Sequence, residues 1–250
     1  MAVGRASPSV GVAFALGYQV ALHRLVPSLL PTELASLCVT EARGGHPRDV
    51  RCTFDGARLS GEKHWATLSP LADALLVLAV RGERGGKKDF ALVRVERGAP
   101  GVSIHAMPPT PFAPEVPHAV VTLSDAPGVA LPGDGFDDYA RPFRTVEDLH
   151  VVGAIAAQVV ARARALGATP ELWLPALSAL AALSVAASLD PRDALGHLLL
   201  AGALPQVGAA FAALAGGPAP ELARDLPLLS IAERARALRT KAALDRAGGA

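Results

Sequence analysis

Cysteine and aromatic residues are scarce in this 250-residue chain: there are two cysteines, Cys38 and Cys52, and Phe, Trp and Tyr together make up 4%. Neither cysteine belongs to a C-x-x-C pair or stands near a spaced pair of histidines, which argues against a disulfide framework and a structural zinc site. Charge of one sign is lacking as well. Twenty-four basic residues face 23 acidic ones for a net charge of +1, so no long-range field gathers nucleic acid or an anionic membrane face. Seven histidines occur without an H-E-x-x-H, and no G-x-S-x-G elbow is present, which leaves zinc-peptidase and serine-hydrolase chemistry without support. What the chain does have is apolar bulk. With 51% hydrophobic and 19% charged residues it buries enough surface to fold, as one large domain or two small ones.

Two stretches, Leu172–Leu189 and Ala194–Pro220, carry no Asp, Glu, Lys or Arg and are long enough to span a bilayer. Their Ala, Gly and Ser content, Pro175 and Pro205, and the lack of a flanking basic cluster favour buried bundle helices or an oligomer contact over insertion. The apolar run Val10–Leu22 resembles a signal peptide but is interrupted by Tyr18 and Gln19 and has no small-residue cleavage site after it. A cytoplasmic location is the expectation.

Three regions follow one another. Residues 1–37 form a short helical segment with apolar spacing at Val12, Leu16, Val20 and Leu25. Residues 38–132 read as short strands: Val50–Phe54, a turn at Asp55-Gly56, Ala57–Leu59, Ala74–Val80, a charged turn over Arg81–Lys88, Phe90–Glu96, Val102–His105 and Ala119–Leu123. The proline-rich stretch Pro108–Pro117 is a loop, since proline has no N–H to give a central strand. Residues 133–250 read as helices over Val146–Leu166, Ala176–Leu189, Ala194–Leu204 and Ile231–Arg246. The fold class predicted is therefore α+β: a helical lead-in, a central antiparallel β-barrel or sandwich, and a C-terminal helical bundle.

Several conspicuous features have ordinary explanations. Arg81–Lys88 contains Gly-Lys but neither the earlier glycine nor the following Ser or Thr of a phosphate loop, so it reads as a solvated hairpin turn. Asp134, Asp137 and Asp138 lack calcium-loop spacing and suit a helix start; no metal is assigned. His150 lies within an apolar helix face, as a hydrogen-bonded core histidine does.

Two segments are informative together: Thr40-Glu41 followed by Gly44-Gly45, and Gly61-Glu62-Lys63-His64-Trp65-Ala66-Thr67. In order and spacing they resemble the acyl-CoA dehydrogenase family, whose β domain carries a "TE…G-S-D" loop and then "G-x-K-x-W-I-T". The likeness continues through Ala72–Val77, Glu96–Val102, Leu131–Gly135 and the small-residue stretch Gly153–Gln158. It covers about residues 37–166.

The resemblance implies a flavoprotein that desaturates an acyl-CoA thioester using FAD. Val39, Thr40, Gly45, Trp65, Ala66 and Thr67 stand at its cofactor-binding positions, and an electron-transfer flavoprotein would be the onward acceptor. A catalytic base is implied too. The glutamate that most members carry late in the helical domain has no match here, but Glu147 falls at or next to the position other members use, at the start of the first long helix. The arginine accompanying it there has no evident counterpart. Two other departures stand out: the G-S-D serine that holds the FAD pyrophosphate is replaced within Gly44-Gly45-His46-Pro47, and the segment reaching a neighbouring subunit's FAD is not recognisable. The resemblance thus implies either a shortened enzyme, as a homo-oligomer or beside a full-length acyl-CoA dehydrogenase subunit, or a catalytically inactive binding or assembly subunit.

Overall fold

The computed structural model describes residues 9–234, 240, 241 and 243–245. It divides into two units: one takes residues 22–109 and 116–143, the other the described residues of 9–21, 110–115 and from 144 onward.

The first unit is built on a sheet of strands β1 (Ala35–Cys38), β2 (Thr53–Phe54), β3 (Arg58–Thr67), β4 (Ala74–Arg84), β5 (Lys87–Glu96), β6 (Val102–Ala106), β7 (His118–Pro127) and β8 (Val129–Ala130). Their order is β6-β7-β3-β2-β4-β5-β8, with β1 also on β4. Pairing is antiparallel, as the sequence suggests, except that β1 and β2 both run parallel to β4. β8 follows β7 directly yet pairs with β5, so the sheet curls on itself. Gly128 lies at that closure, where a Cβ would come within 2.7 Å of side chains from both β3 and β5.

Alternation along the strands fills the core. Leu75, Val77 and Ala79 of β4 join Cys38, Phe54, Leu59, Val93, Val95 and Val121 inside, each fully buried Val or Leu contributing roughly 1.5–3 kcal/mol. Leu76 and Leu78 are buried on the opposite face, which explains the continuous apolar run. Cys38 and Cys52 are free and buried, and burial pushes their thiols up to about 12 and about 11; neither supplies a thiolate near neutral pH.

In the second unit the long helix α2 (Arg141–Ala165) is buried at every position from Val151 to Val160. Small residues permit this. Helix α1 (Val10–Leu25) enters the unit through Gly17, where a Cβ would stand 2.7 Å from the Val151 Cα and 2.8 Å from the His150 carbonyl oxygen. α3 (Pro170–Ala186) and α4 (Ala194–Ala215) pack on each other, and the Asp193 carboxylate caps α4 by accepting from the Leu195 N–H at 2.8 Å. Pro175 and Pro205 lie inside these helices rather than ending them. A shorter helix, α5 (Leu226–Arg234), follows, and the rest of the predicted Ile231–Arg246 helix lies largely outside the described residues. The proline-rich segment joins this unit through Asp225, which accepts from the Ala113 N–H at 2.8 Å, while Arg224 reaches Glu115 at 3.0 Å. Among the described residues α4 alone is long and apolar enough to cross a membrane, and half of its apolar window is buried within the protein.

Candidate functional site

β1 ends at Cys38, and Val39 and Thr40 lead into a tight loop closed by paired hydrogen bonds between Glu41 and Gly44, of 3.0 and 2.9 Å. The chain then returns so that Gly45 faces the same residues: a Cβ there would lie 3.5 Å from Thr40 Oγ1 and 3.9 Å from Val39 Cγ1. This loop is fastened to β3. The His64 N–H donates to the Thr40 carbonyl at 2.8 Å, and the Ser36 hydroxyl donates to the Thr67 carbonyl at 2.7 Å. Val39, Thr40 and Gly45 are thereby brought alongside the stretch that carries Trp65, Ala66 and Thr67.

Beneath the loop lies an ion pair that sequence reading passed over. Lys63 is fully buried, with its Nζ 2.7 Å from Glu41 Oε1 and 3.4 Å from the Val39 carbonyl. Glu41 also accepts from the N–H groups of Arg51 (2.8 Å) and Cys52 (3.0 Å). Burial alone would raise the Glu41 carboxyl; the Lys63 ammonium and these donors outweigh it and hold the group below its usual range. The pair pins the loop to the strand. The one sequence signal was a lysine on the inward side of β3's alternation.

β3 carries a bulge at the site. Its register on β7 shifts between Lys63 and Ala66, so both of these point into the core. The extra residue falls on the outer side: Trp65 adopts φ +55° and leaves its side chain 52% exposed. A positive φ at a bulky residue is uncommon and costs on the order of 1–3 kcal/mol. Thr67 is half-buried and pairs with His118 across the ladder. Ala66 belongs to the core cluster, so its methyl faces inward and only its backbone is left for the outer side.

Glu147 lies in the other unit, one turn and a half into α2. Its side chain is 14% exposed, with Arg144 Nη1 3.9 Å from Oε2, while Arg144 Nε lies 3.4 Å from Asp148. Burial pushes the Glu147 carboxyl up to about 7, against the pull of Arg144 and with a smaller push from Asp148. Helix α2 starts at Arg141, ahead of the predicted Val146, so the i,i+3 spacing makes Arg144 a helical neighbour of Glu147. His150 and Ala154 follow Glu147 on the same helical face. They line an apolar cavity of about 260 Å³ with Leu16, Val20, Leu180 and Leu183. Among the described residues no cluster of His, Cys, Asp or Glu could hold a metal ion.

The fold is that of the acyl-CoA dehydrogenases, a curled sheet together with helices. Among solved structures, an FAD-dependent dehydrogenase aligns with a TM-score of 0.71 at 17% identity over 98% of this chain and 82% of its own. Butyryl-CoA dehydrogenase from Megasphaera elsdenii gives 0.69 at 17% identity, covering 94% of this chain and 78% of that one. A glutaryl-coenzyme A dehydrogenase in complex with glutaryl-CoA gives 0.59 at 14% identity, with 96% and 77% covered. No family model matches the sequence, and no curated protein matches it.

Proposed function

We propose that the protein is an acyl-CoA dehydrogenase-type flavoprotein that binds FAD on its sheet unit and desaturates an acyl thioester, with Glu147 as the base. The observation that carries this reading is Trp65: an indole half out of the protein on a left-handed backbone, in a strand segment whose flanking His64 and Thr67 are hydrogen-bonded to Thr40 and Ser36, in this fold. Strained backbone of this kind concentrates at ligand sites, and here it turns a large flat apolar ring outward. FAD, when bound, supplies the two-electron acceptor for hydride leaving the carbon β to the thioester carbonyl. Trp65 offers it a flat apolar contact, and the hydroxyls of Thr40 and Thr67 can each donate or accept.

Glu147 takes the proton from the carbon next to the carbonyl. In water a carboxylate is too weak a base for this; burial brings Glu147 to about 7, near the pH at which it works. Arg144 keeps part of it ionised. The cavity lined by His150 and Ala154 suits an acyl tail, and at about 260 Å³ it compares with the 150 Å³ that holds a benzene ring. An electron-transfer flavoprotein would accept the electrons, and the acyl-CoA is the substrate class.

A second reading, an inactive assembly subunit, is favoured by Gly44-Gly45-His46-Pro47, which offers no side-chain hydroxyl where the family's serine grips the pyrophosphate. The spectrum of the purified protein decides. Yellow protein bleached anaerobically by an acyl-CoA establishes the enzyme; colourless protein that fails to take up added FAD establishes the subunit.

A further inference from the structure

We propose that His118 is the positioning residue for the Trp65 indole, holding it in the orientation in which it meets a flavin; this rests on the flavin reading above. Three observations support the assignment. The bulge that puts Trp65 at φ +55° leaves its ring outside the core, half exposed. On the adjoining strand His118 pairs with Thr67, and its ring packs edge-on against the indole, with centroids 5.8 Å apart and planes at 71°. The imidazole is itself half-buried beside the ladder rather than projecting free into solvent.

Edge-to-face packing is the favoured geometry for aromatic pairs, since the positive rim of one ring meets the negative face of the other. An exposed tryptophan on an ordinary strand would sample several χ angles and lose that freedom on meeting a ligand. Here the neighbouring ring removes the freedom beforehand. Burial lowers the pKa of His118 from its ordinary value, so the ring is neutral near pH 7 and adds no charge to the surface that Trp65 and Thr67 form. The role calls for a ring at position 118: a side chain without one would leave the indole without an edge-on partner.

The test uses the full chain carrying Trp173→Phe, so that Trp65 is its one tryptophan. In this protein without flavin, the near-ultraviolet circular dichroism band of Trp65 should collapse in His118→Ala and in His118→Gln, and persist in His118→Phe, with far-ultraviolet spectra unchanged. FAD affinity should fall about threefold to tenfold in the Ala and Gln variants and return to within about twofold in the Phe variant, as the loss of one ring pair predicts. A band that survives in both His118→Ala and His118→Gln overturns the proposal. So does an unchanged FAD affinity in these variants when Trp65→Ala loses it. If the parent protein takes up no FAD, the flavin reading fails by itself, and the Trp65 band decides the role of His118.

Discussion

At the scale of single residues, two buried ionisable groups carry opposite consequences. Burial raises the Glu147 carboxyl from the ordinary 4.5 to about 7. A group whose folded pKa is raised contributes stability that is whole below the unfolded value, here about 4.5, and is lost as pH climbs through about 7. Glu147→Gln, neutral at every pH, should therefore match the parent in acid and exceed it above neutrality by up to about 3 kcal/mol, at 1.36 kcal/mol per pKa unit. Urea titrations at pH 4 and pH 8 measure the difference, and an equal offset at both would show that Glu147 is not buried as an acid. The same variant should end bleaching by acyl-CoA while leaving flavin colour. Lys63 is the reverse case, a fully buried amine 2.7 Å from the Glu41 carboxylate. Lys63→Met leaves Glu41 buried without its cation and should cost roughly 3–5 kcal/mol. Cutting Glu41 away in the same protein by Glu41→Gln should recover part of that, and a loss that is simply additive would mean the pair does not couple.

At the scale of elements, the helix α1 shows where pattern reading fails. Its apolar spacing points to Val12, Leu16 and Val20 as the inner face, yet Leu16 and Val20 are 36% and 43% exposed while Gly17, Tyr18 and Ala21 are buried. Close helix approach selects small residues, which a hydropathy pattern does not score. Gly17→Leu should accordingly destabilise by about 1–3 kcal/mol through overpacking, with a lowered thermal midpoint as the readout. Gly153 in α2 is the control: a Cβ there meets nothing within 4 Å, so Gly153→Ala should be neutral or slightly stabilising, because helical glycine is costly. The strands were more legible, since the apolar runs of β4 and β5 are bounded by a charged glycine turn. The turn between them is narrower than the charged run suggests: Gly85 and Gly86, at φ +58° and +73°, make a two-residue hairpin, and Asp89 pairs with Arg81 and Arg84, so the ladder continues through charged residues. The parallel strand β1 was missed because four residues are too few to show a period. Of the site, Thr40, Trp65 and Thr67 were legible from two short motifs. Lys63 with Glu41 was not, for the pair forms across 22 residues of chain, and neither was His118, which reaches Trp65 only through strand register.

At the scale of the whole molecule, the question is whether this chain and FAD are thermodynamically linked. A ligand that binds only the folded protein stabilises it by RT ln(1 + [L]/Kd), about 2.7 kcal/mol at a hundredfold excess over Kd. The residues that would provide this are confined to the sheet unit: Thr40, Trp65 and Thr67, on a loop and strand joined by hydrogen bonds of 2.8 and 2.7 Å. The backbone N–H of Gly45 is the remaining resource for the phosphates, since the Gly44 N–H is taken by the Glu41 carbonyl and the segment 44–47 has no hydroxyl. The expected outcome is a thermal midpoint that rises with FAD concentration, a rise that Trp65→Ala abolishes and Trp65→Phe largely keeps. Riboflavin, which has the ring system but no phosphates, separates the two halves of the contact. If riboflavin shifts the midpoint nearly as far as FAD, binding rests on the Trp65 surface, and the replacement of the Gly-Ser-Asp element has removed the phosphate grip. If FAD stabilises and riboflavin does not, the backbone at Gly45 carries the phosphates. A midpoint indifferent to both would leave the strained, exposed indole without a ligand and make the assembly reading the better account of the fold.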